Sequence, residues 1–375
     1  MTGRKKSRVR LLILAFSAAF LALSWFCRPF ADLYVTYVFP VWGQTYGRLT
    51  SLLPFSLGEW AILAGLLWLL IFLICFVAAL PAYLSGKKEL FRKKMSPVAA
   101  ITADLLTGIC LIMVLNCFAL YHCTPLDPHA DERSFSVTEL AALRNLIVEE
   151  CNTRATQIPR DDAGHALFAG PVEDEARACH QRLGGSLFPR LAGYSVRPKY
   201  FFFSDFVSQQ HMMGYYFPFT MEANINRRME ILNYPFTMCH ELAHTHGYLF
   251  EDEANLIGFL ACMGSEDPSF VYSGYLGILP YVDNDFRATV GVEIYDTYPP
   301  ISRRVLIDSQ FLTDESWAEV EENALLSTEL VHEAADTFID QNQKLNGISS
   351  GKASYSHVVA LLLSYYSGEA TYLQK

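Results

Sequence analysis

Three long apolar stretches, residues 11–27, 60–80 and 98–121, constrain this chain more than any other feature of it. At about 1.5 Å rise per residue, each is about long enough to cross a hydrocarbon core of roughly 30 Å. A backbone in lipid must satisfy its own polar groups, so each stretch is expected as a transmembrane helix. The first follows a basic start, as the apolar part of a signal peptide would. However, Trp25, Phe26, Cys27 and Arg28 follow it where small residues would mark a cleavage site, so it reads as a retained anchor.

The basic residues set an orientation. Arg4, Lys5, Lys6, Arg8 and Arg10 precede the first stretch, and Lys87, Lys88, Arg92, Lys93 and Lys94 separate the second from the third. The loop between the first two carries only Arg28 and Arg48. The positive-inside rule then places the N-terminus and the second loop in the cytoplasm, and everything after Cys123 outside. Charge divides the chain at the same place. Residues 1–123 hold 12 Lys+Arg against 4 Asp+Glu, whereas residues 124–375 hold 17 against 35. An acidic balance of −18 argues against nucleic acid as a partner, because phosphate binding needs clustered cations. The expected organisation is a membrane anchor over 1–123, with the lipid bilayer as partner, and an extracytoplasmic domain over 124–375 of a multi-pass cell-membrane protein. Asp104, inside the third stretch, is expected to reach the interface or a partner on another helix. The turn-rich segment Pro54-Phe55-Ser56-Leu57-Gly58-Glu59 is expected to pack under the external domain.

Of the nine cysteines, Cys27, Cys75, Cys110 and Cys117 lie in or beside the apolar stretches and read as small apolar fillers. Cys123, Cys151, Cys179, Cys239 and Cys262 are external, where disulfides are permitted, and Cys151–Cys179 is a candidate bridge. No CxxC pair exists to build a cysteine metal site.

Beyond a linker at 124–135, Val137, Leu140, Leu143, Leu146 and Ile147 recur at helical spacing and predict a helix over 136–155. A second helix is expected over 171–183, starting at Pro171. Two strand-like runs follow, 199–203 and 214–226. Pro218 lies inside the second and demotes it to a sheet edge. Residues 300–375 read as mostly helical, with Gly347 and Gly351 marking a loop before a last apolar helix.

The chemistry lies between Pro235, suited to a first helical turn, and Gly247, suited to a helix end. Within that helix His240-Glu241-Leu242-Ala243-His244 places two imidazoles four residues apart, on one face, where they can share one ion. Glu241 is about 100° around the helix from His240, near enough to take a proton from a water on that ion. This is the logic of a zinc peptidase H-E-x-x-H helix. The third ligand is expected downstream, in Glu251-Asp252-Glu253-Ala254-Asn255, where Glu251, Ala254, Gly258 and Ala261 share a helix face. Glu253 lies about 200° from Glu251 and is the other candidate. A third histidine of the metzincin type is excluded, because Phe250 stands where it would fall.

The Glu251–Asn255 block resembles the E-x-x-A-[DN] signature of glutamate-liganded zinc peptidases, the gluzincins. That resemblance implies a zincin-like α+β domain, mainly helical, with His240, His244 and Glu251 on a zinc ion, Glu241 as the catalytic base and Asn255 steadying a ligand histidine. Only six residues separate His244 from Glu251, fewer than most gluzincins use. The whole layout resembles an uncharacterised bacterial membrane family, a domain of unknown function numbered 3810. The likeness rests on the three spans, the Pro54–Glu59 segment, the HELAH–EDEAN block and the Ser354-Tyr355 helix.

Two readings follow. In the first, the external domain hydrolyses peptide bonds, pairing an extended peptide or protein substrate with the 214–226 edge. In the second, the zinc site is structural, or the domain binds cell-surface ligands without catalysis; Glu241, which a structural site does not need, separates the two. Asn224 and Asn226 are candidates for holding substrate, and Tyr355 or His357 for stabilising an oxyanion. Tyr215 and Tyr216 read as packing residues, His246 as solvated or as a support behind a ligand, and His211, His332 and His357 chiefly as structural or exposed.

Overall fold

The computed structural model describes residues 3–130, 133–345 and 355–373 and is mostly helical. Among the described residues, three helices are long and apolar enough to cross a membrane: Lys5–Phe26, Leu57–Leu84 and Lys88–His122. They cover the three expected stretches. Leu66, Leu67, Leu70 and Ile74 of span two point outward and are exposed, the pattern of a helix whose solvent is hydrocarbon. Span three packs against both others. Asp104 finds its helix partner, since Arg10 Nε of span one donates to its Oδ1 at 2.6 Å. Span two starts sharply because the Ser56 hydroxyl accepts from Glu59 N and so caps the helix.

The loop between spans one and two is a run of short helical turns from Arg28 to Ser51 that folds back into the domain. Ala31, Tyr34, Val35 and Phe39 share a core with Cys117, Leu120 and Cys123 from the end of span three, and with Tyr216, Met221 and Leu249. The division at residue 123 therefore runs through a common core. The Pro54–Glu59 segment does pack under the domain. Leu57 N and Gly58 N donate to the Glu222 carboxylate, and the Glu59 carboxylate accepts from Phe202 N and Phe203 N.

The larger core is helical. Val137–Ala155 begins at a capping box made by Ser136 and Glu139, close to the expected boundary, and packs along Pro268–Val290. The helix expected over 171–183 is observed as Val172–Gly184. Two further helices, Tyr234–Thr245 and Glu251–Met263, fill the centre. A small sheet covers one side: β1 (Lys199–Tyr200), β2 (Gly214–Phe217) and β3 (Glu222–Ile225), in the order β1-β3-β2.

Both strand expectations need correction. Only Lys199 and Tyr200 of the 199–203 run pair as a strand, parallel to β3, because the amides of Phe202 and Phe203 are taken by Glu59. The 214–226 run is a hairpin, not one strand. Pro218 lies in its turn, and Met221 just before β3 has a φ of 54°. Among the described residues, β2 remains an unpaired sheet edge. The candidate Cys151–Cys179 bridge does not form; all nine cysteines are free, and Cys151 and Cys179 are both buried. Residues Gly347, Gly351 and Ser354, and the side chain of Tyr355, lie outside the described residues.

Candidate metal centre

The helix Tyr234–Thr245 has Pro235 in its first turn, where the missing N–H has no partner to lose. Met238, Cys239, Leu242 and Ala243 are wholly buried, which locks the rotation of the helix and aims His240, Glu241 and His244. At its C-terminus the chain turns through Gly247, whose φ is +86°. Tyr248 N donates to Ala243 O and Gly247 N to His244 O, the paired bonds of a Schellman turn. This tight reversal explains how six residues suffice between His244 and Glu251. The helix Glu251–Met263 then returns alongside. Gly258 permits the approach: a Cβ there would stand 3.3 Å from both His240 N and Phe236 O.

His240, His244 and Glu251 are thereby brought together; their ligand atoms all lie within 4.8 Å of one another. His240 Nε2 is 3.1 Å from His244 Nε2 and 3.2 Å from Glu251 Oε2, and His244 Nε2 is 3.8 Å from that same oxygen. The opposite ring nitrogens fix the tautomers. His244 Nδ1 lies 2.7 Å from Tyr248 O, which can only accept, so Nδ1 carries the proton. His240 Nδ1 lies 2.9 Å from Asn255 Oδ1 and donates in the same way. Two Nε2 lone pairs then converge on one point beside a carboxylate, a place for a proton or a cation. Burial pushes the His244 imidazole down to about 4, against the opposing pull of Glu251. Burial therefore favours the neutral form of His244, the form that binds metals.

Glu241 is 5% exposed, and its Oε2 has no hydrogen-bond partner among the described residues. Burial pushes its carboxyl up to about 8, against the pull of His240. Gly214 of β2 lies directly over it, where a Cβ would stand 2.6 Å from Glu241 Oε1 and 2.7 Å from its Cγ. Gly214 was not singled out by sequence reasoning. The available signal was a glycine inside a strand run, which marks close backbone approach.

The other candidates separate cleanly. Glu253 is buried on the far side of its helix, where it accepts from Leu126 N and lies in the field of Arg190. It is not part of the cluster. His246 is buried rather than solvated, with Nδ1 against Arg190 O and Nε2 against Ser195 Oγ. Asn224 and Asn226 are fully buried in the sheet, closed to any substrate. His357 acts electrostatically on Glu253, on the buried side of the Glu251 helix. Tyr216 is a packing residue, as expected; its hydroxyl donates to Asn116 O at the end of span three. His211 and His332 lie against each other, with ring centroids 4.3 Å apart, beside Trp317.

The family whose sequence pattern matches, described as "Protein of unknown function (DUF3810)", takes in residues 34–363. The chain belongs to the DUF3810 family. The matched region begins in the loop after the first apolar helix and runs into the last helix, so it includes the second and third apolar helices and the histidine cluster. No curated protein and no solved structure matches the chain.

Proposed function

We propose that this protein is a membrane-anchored zinc metallopeptidase in which His240, His244 and Glu251 hold the ion and Glu241 is the catalytic base. One observation carries the reading: both histidines are held in the tautomer that turns Nε2 toward the same point as Glu251. Zinc–nitrogen bonds of about 2.0–2.1 Å at tetrahedral angles set neighbouring donors roughly 3.3 Å apart. The three edges here, 3.1, 3.2 and 3.8 Å, suit that ion. Closed structural sites use four protein ligands, whereas three donors with a half-exposed Glu251 leave one side open, which supports catalysis over a structural role.

Zinc supplies the Lewis acidity that polarises a peptide carbonyl and acidifies water. The chain supplies the rest. Asn255 and the Tyr248 carbonyl hold the imidazoles in register. Glu241 takes the proton of the attacking water at Oε2 and passes it to the departing amine. Glu241, whose carboxyl burial pushes up to about 8, would be held ionised beside a bound cation. The free edge of β2 offers backbone N–H and C=O groups to an extended peptide.

The test is Glu241→Gln and His240→Ala in the purified full chain. Zinc should bind one per chain in wild type and Glu241→Gln, and not in His240→Ala. Turnover of a peptide library should fall by roughly 10²–10⁴-fold in Glu241→Gln. Equal cleavage by wild type and Glu241→Gln would remove the mechanism. A wild type that binds zinc and cleaves nothing would favour a binding domain. The excess of Lys and Arg before span one and between spans two and three supports an N-terminus in the cytoplasm and the metal site outside it. Protease added to intact cells should therefore digest the domain.

A further inference from the structure

The metal centre is built onto the ends of the membrane spans. Trp25, next to last in span one, lies against His122 at the end of span three, ring centroids 4.4 Å apart and tilted by 46°. Tyr121, one residue earlier, meets Phe250 edge-on at 5.7 Å. Phe250 immediately precedes Glu251, so this ligand stands one residue, about 3.8 Å of chain, past a ring touching the end of a span. The turn that fixes His244 is anchored there too. A Cβ on Gly247 would lie 2.6 Å from Val35, and Leu249 is buried with Ala31, Tyr34, Phe39 and Cys117.

A second observation sets the height from the other side of the sheet. The amides of Phe202 and Phe203 are bonded to Glu59, in the first turn of span two. Phe202 is 69% exposed and Phe206 52%, and the neighbouring Trp60 at the start of span two is 50% exposed. Aromatic side chains concentrate where a bilayer meets water, and this group is bonded to the first turn of span two. The end of span three thus touches both the ligand turn and the end of span one, and the first turn of span two is bonded to the segment after β1.

Resting on the peptidase reading, we infer that the substrate is a polypeptide tethered to the same membrane and cut within a few residues of the bilayer surface. A tethered chain meets this site at an effective concentration near the millimolar range, and only its membrane-proximal residues stand at the height of Glu251 and Glu241.

The experiment uses the full chain in phosphatidylcholine–phosphatidylglycerol vesicles, with a mixed-sequence peptide library in three forms. One is free in solution. One carries a dipalmitoyl anchor and a spacer of about two prolines. One carries the same anchor and about twelve prolines, roughly 37 Å when extended. The short-spacer form should be cut about 10²-fold faster than the free form at equal low-micromolar concentration, and at least about tenfold faster than the long-spacer form. Both anchored forms are equally concentrated at the membrane, so the difference between them reports height alone. Equal or faster cutting of the long-spacer form overturns the inference, as does cutting of the free form only; the peptidase reading survives both results. No cutting of any form removes the peptidase reading and the inference with it.

Discussion

Replacing Gly247 with Ala perturbs the one turn on which the metal cluster, the spans and the helix end all depend. Two terms contribute. A φ of +86° is a left-handed conformation that costs an L-residue about 1–2 kcal/mol. The new Cβ would also stand 2.6 Å from Val35 Cγ2 and 3.2 Å from Phe39 Cδ1, an overpacking that typically costs about 1–3 kcal/mol. Together they predict a loss of roughly 2–5 kcal/mol, a large share of the stability of an ordinary domain. Relief of the clash moves Tyr248, whose carbonyl holds His244 Nδ1. Zinc affinity should then fall by about 10–100-fold, the usual effect of losing a partner behind a ligand. The assay is unfolding of the detergent-solubilised full chain in the presence of chelator, with zinc affinity measured separately by competition. Val35→Ala/Gly247→Ala removes the closest contact, with Val35, but keeps the backbone strain and the Phe39 contact, so its loss should be at least about 1 kcal/mol smaller than the sum of the single losses. A Gly247→Ala protein within about 0.5 kcal/mol of wild type, with zinc affinity within about twofold, would refute the reasoning.

Three other outcomes follow. Glu251→Gln should abolish stoichiometric zinc while Glu253→Gln retains it, read by metal analysis; the opposite result would exchange the two roles. Gly214→Ala should keep zinc and change unfolding stability by less than about 1 kcal/mol, because the atoms it meets belong to a movable side chain. Peptide turnover should nonetheless fall by about 10²-fold as the Glu241 carboxylate is displaced; unchanged turnover would separate Glu241 from the chemistry. Finally, burial holds the imidazole of His180 down to about 3, with His246 adding to the shift and the bond to Cys239 O opposing it. Below pH about 6.5 the unfolded chain takes up a proton that the folded chain refuses, so this group's contribution is lost as pH falls from about 6.5 toward 3. At pH 5 the loss is about 2 kcal/mol. The drop in stability from pH 7 to pH 5 should shrink by that amount in His180→Gln, and an unchanged drop would contradict it.

The features legible in the sequence are those set by neighbours along the chain. Helical rise and uninterrupted apolar residues located the three spans. The i, i+4 spacing put His240 and His244 on one face, and Pro235 and Gly247 bounded their helix. The small residues Ala254, Gly258 and Ala261 announced a close helix pair. Where the outcome rests on contacts between distant segments, sequence reasoning stopped short or failed. The amides of Phe202 and Phe203 bond the carboxylate of Glu59, more than a hundred residues away, instead of a sheet neighbour. Asn224 and Asn226 are polar in sequence and yet wholly buried in the fold. Glu251 and Glu253 are chemically alike, and only the rotation of their helix, set by packing on Tyr234–Thr245, turns one toward the histidines and the other toward Leu126 and Arg190. The approach of Gly214 to Glu241 and the seating of Gly247 against Val35 are likewise meetings of remote chain. Periodicity and spacing describe one helix or strand at a time, whereas the partners of buried polar groups are set when those elements pack.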